Sequence, residues 1–596
     1  MKKQKLELTW IGKENRPRLE PRILLEDPEK SYHAQKRITD NDQFDNRLIF
    51  GDNLLALKAI QQEFSGKIKC IYIDPPYNTG SAFEHYDDGL EHSLWLSLMR
   101  ERLEMLHRLL CDDGGSIWVQ IDDNEMAYLA VLMDEVFGRQ QRLNTIAVKM
   151  SEVSGVKMAH ADRKLPKLKE YIIGYAKNTP PKLNIEKIAA EKWNEEYKTL
   201  LLGIERESLA ELKNLCSAGG ASGSDVDQCI KTLKEAQLKS LSLYFKEQGI
   251  PAEHQASWKY ENAWRIVQAV GSSSVFRLAS NNTKGIDQEV TASLSSTGLI
   301  YLHLSKFDRS AKQPRIQIIF ADENLMRSPG DFWTDIRTTG GVGQEGGVLF
   351  ANGKKPEALI KRIIGMCTQA NDIVLDSFAG SGTTGAVAHK MGRRWIMVEL
   401  GEHCHTHIIP RLKKVIDGAD LGGITDAVGW KGGGGFRYYR LAPSLLEKDK
   451  WGQWVISKEF NPTMLAEAAC KLEGFTYAPS DTLYWQHGHS TERDFIYVTT
   501  QQLSADQLAQ LSDEVGVERT LLVLCAAFRA SKSGTERYPN LTVKKIPKQV
   551  LSRCEWGHDD YSLKVENLPK APPTPPAPPN TDKPGQQSLF DAEESK

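Results

Sequence analysis

The stretch Ile71-Tyr-Ile-Asp-Pro-Pro-Tyr-Asn-Thr-Gly80 decides how the chain reads. An apolar, β-rich run from Ile68 to Ile73 feeds directly into a carboxylate, two prolines and an aromatic ring. Such a run is a buried strand, and Pro75 and Pro76 cannot continue a central one, so the strand stops at Asp74. Asp74 then sits at the carboxyl end of a strand, where open α/β sheets hold their ligands. Each proline fixes φ near about −65° and lacks an N–H, which leaves a stiff turn presenting carbonyl oxygens. An ionised Asp74 can only accept hydrogen bonds. With a fixed carbonyl and Tyr77 beside it, the turn suits a flat substrate that offers an NH2 group and a π-face. A nucleobase with an exocyclic amine is such a substrate. The same tetrapeptide also reads as a strand end with a solvated Asp and a packed Tyr, and its own residues do not separate the two.

The flanking sequence alternates strand and helix. Arg47-Leu-Ile-Phe-Gly-Asp52 reads as a short strand and Leu54 to Phe64 as a helix. Beyond the proline turn come a helix over Leu94 to Leu110, a break at Cys111-Asp-Asp-Gly-Gly115, a strand over Ser116 to Ile121 and a helix over Glu125 to Phe137. This β-α-β-α-β order implies a parallel sheet with helices on both faces, and Leu143 to Met150 and Tyr171 to Ala176 read as strands closing it. From about Pro180 the character changes. Asn184 to Leu212 reads as a charged helix, Asp227 to Glu247 as a second helix and Arg315 to Phe320 as a strand. The sheet pattern then resumes with a helix opened by Lys355-Pro356, a strand over Asp372 to Ser377, a glycine-rich turn into another helix, and a strand over Arg394 to Leu400. The organisation expected is an N-terminal arm (1–46), two halves of one sheet domain (47–180 and 331–442) around an insert (181–330), a small α/β domain (443–565) and a disordered proline-rich tail (566–596).

Bulk composition sets limits. A chain of 596 residues exceeds one core, and 40% hydrophobic with 26% charged residues describes an ordinary water-soluble protein. No apolar run approaches membrane-spanning length and the start lacks a signal-peptide core, so the expectation is a cytoplasmic protein away from membranes. The nine cysteines are scattered without a C-x-x-C pair, as in reduced, buried thiols. A net charge of −2 neither demands nor excludes nucleic acid, so any DNA contact must come from local patches.

The second informative stretch is Phe378-Ala-Gly-Ser-Gly-Thr-Thr-Gly385. Gly380-x-Gly382-x-x-Gly385 matches the dinucleotide-binding spacing, with glycines that let backbone N–H groups approach a ligand at a helix N-terminus. Glu399, ending the next strand, is where a carboxylate would bind ribose hydroxyls. No Lys follows the last glycine, which argues against a phosphate-cradling NTPase loop. The glycines alone do not choose between a nicotinamide nucleotide and S-adenosylmethionine. The pairing with Asp74-Pro-Pro-Tyr77 favours the latter, since methyl transfer to an amino group needs such a turn.

With both motifs in view, the chain resembles the amino-group DNA methyltransferases. Asp74-Pro-Pro-Tyr77 looks like their catalytic motif and Asp376-Ser-Phe-Ala-Gly-Ser-Gly-Thr-Thr384 like their S-adenosylmethionine loop. The catalytic motif comes first, which is similar to the circularly permuted β class. Asn78-Thr79-Gly80, Lys355-Pro356, the run from Gly340 to Gly347 and the Thr9-Trp10 arm resemble the modification subunit of type III restriction-modification systems. The resemblance implies a Rossmann-like, mostly parallel, permuted α/β sheet with an inserted target-recognition domain. It implies catalytic roles for Asp74, Pro75, Pro76 and Tyr77. It also implies cofactor contacts from Asp376, Phe378, Gly380, Gly382, Thr383, Thr384, Glu399, Asp52 and Asn53, with Asp52 near the adenine and Phe378 beside the sulfonium. An Asp-led tetrapeptide in this family implies adenine N6 as the target, a Ser-led one cytosine N4. The target base is expected to flip out of double-stranded DNA.

Other features carry weaker expectations. Arg139, Arg142, Lys149, Lys157, Arg163, Lys164, Lys167 and Lys169 make a basic segment that reads as a phosphate-facing patch or as a solvated face. In the insert, Trp258, Lys259, Tyr260, Arg265, Arg277, Lys306, Arg309 and Arg315 are candidates for sequence readout. His403 and His407 share a helix face, yet no second ligand cluster appears, and no metal is expected. Gln586-Gln-Ser-Leu-Phe590 resembles the pentapeptide by which bacterial proteins dock on the sliding clamp. The expected partners are DNA, a second copy of the chain and a restriction ATPase-nuclease subunit. A recognition and scaffold subunit with little methylation of its own, a cytosine-N4 enzyme, and an enzyme acting on RNA or a protein amide stay open as alternatives.

Overall fold

The computed structural model describes residues 7–40, 42–77, 88–151, 165–190, 192–217, 219–310, 314–338, 342–350, 354–528, 538–546 and 554–562. Two compact units result, one built from residues 1–182 with 334–596 and one from Leu183–Trp333.

The larger unit is organised by one sheet. In chain order its strands are β1 (Leu24–Glu26), β2 (Tyr32–His33), β3 (Asn46–Phe50), β4 (Cys70–Ile73), β5 (Ser116–Ile121), β6 (Arg142–Lys149), β7 (Lys169–Ala176), β8 (Ile373–Asp376), β9 (Arg394–Glu399) and β10 (Gly435–Leu441). Their spatial order is β1-β10-β3-β9-β8-β4-β5-β7-β6, with β2 on β10. The six strands from β10 to β5 run parallel, and β7, β6, β1 and β2 are antiparallel additions. Strands from either side of the insert interleave, so β8 and β9 lie between β3 and β4. The expected permuted, mostly parallel sheet is what forms.

Both faces of this sheet are covered at its centre, which is why the central strands are largely apolar, while the outer β6 alternates. Every residue of β4 and β5 is buried. Ile71, Ile73, Ile117 and Val119 point to a face packed by helices α1 (Asn53–Phe64), α2 (Asp88–Leu109) and α3 (Met126–Met133), through Leu57, Ile60, Trp95, Met99, Leu103 and Leu132. The opposite face receives α4 (Glu357–Cys367) and α5 (Thr383–Lys390). Contact there is close enough that a Cβ on Gly385 of α5 would lie 2.3 Å from Met397 Cε of β9. Gly174 of β7 answers a similar constraint, since its Cβ would lie 2.3 Å from the ring of Trp118, its cross-strand partner.

A buried charge cluster holds α4 against the glycine turn. Glu357, at the start of α4, accepts from Lys390 Nζ at 2.8 Å and Arg411 Nη2 at 2.7 Å, and all three side chains are fully buried. Burial alone would raise the Glu357 carboxyl, but Arg411 and Lys390 hold it below the ordinary range. Arg411 also donates to the Ser381 carbonyl at 3.2 Å and to Thr383 Oγ1 at 2.8 Å, so the cluster braces the turn from behind.

Residues 443–562 add a five-stranded sheet whose three longest strands, Asp494–Leu503, Thr520–Phe528 and Leu541–Lys545, are parallel. Ile496, Val498 and Leu524 pack there against Leu465 and Ala469 of the helix Pro462–Glu473, and Ile23 of the N-terminal segment joins the same core. Residues 571–596, with the clamp-like pentapeptide, lie outside the described residues, as do Asn78-Thr79-Gly80.

The smaller unit departs from its sequence reading. Its centre is a six-stranded antiparallel sheet that includes Thr199–Leu202, Gln237–Ser240, Ile266–Gly271 and Arg315–Phe320. The single helix expected over Asn184 to Leu212 is instead two strands, Ile188–Ala189 and Thr199–Leu202, followed by a helix only over Arg206–Ser217. Leu200 and Leu201 are buried in the sheet, and that pairing outweighs the helical propensity of the charged residues around them. The helix expected over Asp227 to Glu247 is likewise split, into Gly223–Thr232 and Leu241–Gln248, with the strand Gln237–Ser240 between.

Two substitutions probe the packing. Gly174→Ala should lower stability by about 1–3 kcal/mol through overpacking against Trp118, read as a fall in melting temperature. Glu357→Ala should cost about 3–5 kcal/mol because it takes the carboxylate from the buried Arg411, while Lys390 keeps Asp420 at 2.7 Å. A Glu357→Ala melting temperature equal to that of the parent would refute the bracing role.

Candidate active site

Parallel pairing of β8 with β4 sets Leu375 opposite Ile71, so Asp376 is level with Tyr72 and Asp74 lies two residues further along the same edge. Both turns therefore leave the sheet on its carboxyl side. They meet in one cavity of about 490 Å3. Asp74, Pro75, Pro76 and Tyr77 line it from one side, and Phe378 and Gly380 from the other. Asp52, Asn53 and Glu399 complete the wall at the ends of β3 and β9.

The proline turn is fixed by its neighbours. Trp95 Nε1 donates to the Pro76 carbonyl at 2.8 Å. The Tyr77 hydroxyl lies 2.6 Å from Asp74 Oδ1 and 2.9 Å from Glu170 Oε2. Lys355 Nζ reaches Asp74 Oδ2 at 3.1 Å, Glu170 Oε2 at 3.1 Å and the Tyr77 oxygen at 2.9 Å. Gln120 Nε2 donates to the same Glu170 oxygen at 2.5 Å, and Tyr72 donates to Gln120 Oε1 at 2.5 Å. Burial raises the Asp74 carboxyl above the ordinary range, and Lys355 and the Tyr77 hydroxyl only partly offset it. Burial by itself would depress Lys355, but Asp74 and Glu170 together outweigh it and keep the ammonium charged. The Tyr77 phenol is pushed well up by burial and by both carboxylates, so it stays neutral.

On the other wall, Gly380 has φ +53° and Gly382 φ +75°, the left-handed region that glycine adopts without strain. Glu399 accepts from the backbone N–H of Gly380 at 2.8 Å and of Gly401 at 2.8 Å, and His403 Nε2 lies 3.1 Å away. The bond to Glu399 raises the His403 imidazole above its ordinary value. Asp376 is buried behind the turn, accepting from the Phe378 N–H at 2.9 Å and the Thr384 hydroxyl at 2.5 Å. Burial pushes its carboxyl up to about 7. Asp376, Gly382, Thr383 and Thr384 are not among the cavity's lining residues; they shape the turn from beneath.

Asp52 caps α1 by accepting from Leu54 and Leu55 N–H groups at 2.9 and 3.0 Å, and the Tyr561 N–H donates to its second oxygen at 2.9 Å. Asn53 Nδ2 donates to the Ser377 carbonyl at 2.8 Å, tying α1 to the glycine turn, while Arg102 Nε holds Asn53 Oδ1 at 2.5 Å. The residues fit an adenosyl cofactor. Gly380 leaves its cavity side open, the nearest atom to a Cβ there being the Phe378 carbonyl at 3.9 Å, and carboxylates stand at the ends of β3 and β9 where hydroxyls and an amine would need acceptors.

Glu170, Gln120, Arg102 and His403 escaped sequence reasoning as members of this site. A faint signal exists for two of them: Glu170 and Gln120 are polar residues within the apolar strands β7 and β5.

The basic segment is largely balanced by acids. Arg142 pairs with Asp134 at 2.8 Å, Lys169 with Asp123 at 2.7 Å and Lys167 with Asp122 at 3.4 Å; Lys157, Arg163 and Lys164 lie outside the described residues. In the smaller unit Arg315 pairs with Glu196 at 2.5 Å and Lys259 with Glu195 at 3.0 Å, whereas Arg265 lies over the Trp258 and Trp264 rings. Among the described residues no group of three His, Cys, Asp or Glu side chains is placed to hold a metal, and no helix is long and apolar enough to cross a membrane.

Comparison with known proteins bears on this geometry. A family model described as DNA methylase matches residues 68–410, which spans both turns. A protein of Haemophilus influenzae named "probable type III restriction-modification enzyme HindVI Mod subunit" is 34% identical over 68% of this chain and 55% of its own length. The type III restriction-modification enzyme EcoPI Mod subunit of Escherichia phage P1 is 28% identical over 65% of this chain and 62% of its own. The chain thus spans little more than half the length of these relatives. Among solved structures, a DNA modification methylase of Thermus thermophilus aligns at 14% identity with a TM-score of 0.29, over 66% of this chain and 99% of its own, too slight a likeness to argue from. With the family model covering more than half of the sequence, this chain belongs to the DNA methylase family.

Proposed function

We propose that the chain transfers a methyl group from S-adenosylmethionine to the N6 amine of adenine in double-stranded DNA, as the modification and recognition subunit of a restriction-modification system. The observation that carries the reading is the shared cavity: an acceptor turn at Asp74 faces a glycine turn flanked by Glu399 and Asp52. The cofactor would supply a methyl group made electrophilic by its positive sulfur. The chain's residues supply position and charge. Adenine's amine is a poor nucleophile because its lone pair is delocalised into the ring. Asp74 and the Pro75 carbonyl accept its two N–H bonds, draw the nitrogen toward tetrahedral geometry and aim the lone pair along the line of transfer.

The base must leave the helix to reach this cavity, at a cost of a few kcal/mol, and stacking on Tyr77 offsets about 1–3 kcal/mol of that. Phe378 lines the cofactor side. Glu399 would take ribose hydroxyls and Asp52 the adenosyl base. The Asp-led turn supports adenine over cytosine N4. We propose further that the chain works as a homodimer in the cytoplasm with a restriction ATPase-nuclease subunit, and that Leu183–Trp333 reads the DNA sequence.

Incubating the purified chain with a deuterated methyl donor and duplex DNA, then measuring nucleosides by mass spectrometry, tests the reading. N6-methyladenine should carry the label. Label in N4-methylcytosine, in RNA only, or nowhere would refute it, the last outcome favouring the scaffold alternative. Asp74→Ala should lower the single-turnover rate at least about 10²- to 10³-fold while cofactor binding persists. Tyr77→Ala, which removes the stacking ring, should in addition weaken DNA affinity. Transfer needs the ionised form of Asp74, and burial raises its pKa, so the rate should climb with pH through a step displaced above the usual carboxylate range.

A further inference from the structure

Methylation of an amine produces a proton that must go somewhere, and the cavity is walled by groups that differ in their ability to take it. When the N–C bond forms and the S–C bond breaks with its electron pair going to sulfur, the substrate nitrogen is left with a positive charge and one hydrogen too many. Lys355 already holds its full complement of protons and sits between two acids. Asp74, which faces the nitrogen, is the first acceptor, and it takes the proton as the N–C bond forms only as readily as it can pass one on. We infer that Glu170 is the terminal proton acceptor of the reaction, reached from Asp74 through the Tyr77 hydroxyl. The inference rests on the methyl-transfer reading above.

The geometry is that of a two-bond relay. The Tyr77 oxygen is 2.6 Å from Asp74 Oδ1 and 2.9 Å from Glu170 Oε2. A phenol has one hydrogen, so it can satisfy one of these carboxylates at a time. With both ionised, the shorter contact places it on Asp74. Once Asp74 is protonated, it donates to the Tyr77 oxygen while the phenol hydrogen passes to Glu170. The outcome is an ionised Asp74, an unchanged tyrosine and a neutral Glu170, with no net gain or loss on the shuttle. Tyr77 need never ionise.

Two further groups face Glu170 and fit this role. Lys355 lies 3.1 Å from each carboxylate, so its charge serves whichever of the two is ionised. Gln120, oriented by Tyr72, fixes the receiving oxygen at 2.5 Å. Lys169, the adjacent cation on β7, is engaged elsewhere with Asp123 at 2.7 Å. The Asp74 and Glu170 side chains are each 20% exposed, but Asp74 opens into the cavity that base and cofactor would fill, whereas Glu170 is not among its lining residues and keeps a way out to water. Glu170 does not line the cavity and acts only through Tyr77, so it is a positioning and relay residue rather than a group touching substrate.

Single-turnover methylation of duplex DNA by the full chain, followed from low to high pH, provides the test. Tyr77→Phe keeps the stacking ring and removes only the shuttle oxygen; Glu170→Gln keeps the shape and removes the acceptor. Each should slow transfer about 10²-fold, the lower end of what a placed proton acceptor supplies, with cofactor and DNA affinity unchanged. The double variant should be no slower than either single, because both break one path. The step with pH set by Asp74 should remain in each, and a small buffer base should recover part of the lost rate by standing in for the missing acceptor. Tyr77→Phe within twofold of the parent, or additive losses in the double variant, would overturn the relay. Should Glu170→Gln fail to fold, Tyr77→Phe decides alone. A parent chain that transfers no methyl group would instead sink the reading on which the relay rests.

Discussion

The site depends on one pairing: two short buried strands, Cys70–Ile73 and Ile373–Asp376, lie side by side and parallel although they lie far apart in the chain. Parallel strands in a covered sheet end on the same edge, so whatever follows each of them must share space. Here one is followed by a proline turn whose first residues offer acceptors and no backbone N–H at Pro75 and Pro76, and the other by a glycine turn whose backbone N–H groups a ligand can approach. The chemistry is thus a consequence of topology, and the long connection between the strands is free to carry a separate unit, Leu183–Trp333. Loops tolerate such insertions at modest entropic cost, which grows only slowly with length.

Around that pairing the chain sets each buried charge against at least one partner of opposite sign. Glu357, Lys390 and Arg411 sit behind the glycine turn with every member paired. Lys355 sits beneath the proline turn between Asp74 and Glu170. A buried ion is costly unless compensated, and an excess of acid over base beside the cavity is the kind of imbalance that functional sites maintain. Asp74 and Asp376 both carry raised carboxyls for the same reason, burial. The difference is that Asp376 is spent on holding Phe378 and Thr384, while Asp74 faces open space.

The sheet was legible because its strands are continuous apolar runs bounded by strong punctuation: Pro75-Pro76 after one, Gly380 to Gly385 after another. The insert was not. Around Thr199–Leu202 and Gln237–Ser240 the sequence is rich in Lys and Glu, which favour helices on their own, and only pairing across the sheet makes them strands. Asp74, Phe378 and Glu399 could be placed at the cavity from local pattern and family resemblance. Glu170 and Gln120 could not, because their meaning depends on which strand lies next to which. Thr383 and Thr384 illustrate the reverse: their position beside the glycines is local, yet their hydroxyls serve Arg411 and Asp376 rather than the cavity.

The central claim is that the two turns act on one bound cofactor and one substrate. Hydrogen exchange of backbone amides, followed by mass spectrometry with and without S-adenosylmethionine, addresses it directly. Protection should appear together in peptides covering Asp52 to Leu55, Tyr77, and Phe378 to Gly382, with Leu183–Trp333 unchanged. Protection confined to one of the two turns, or absent from both at saturating cofactor, would contradict the account.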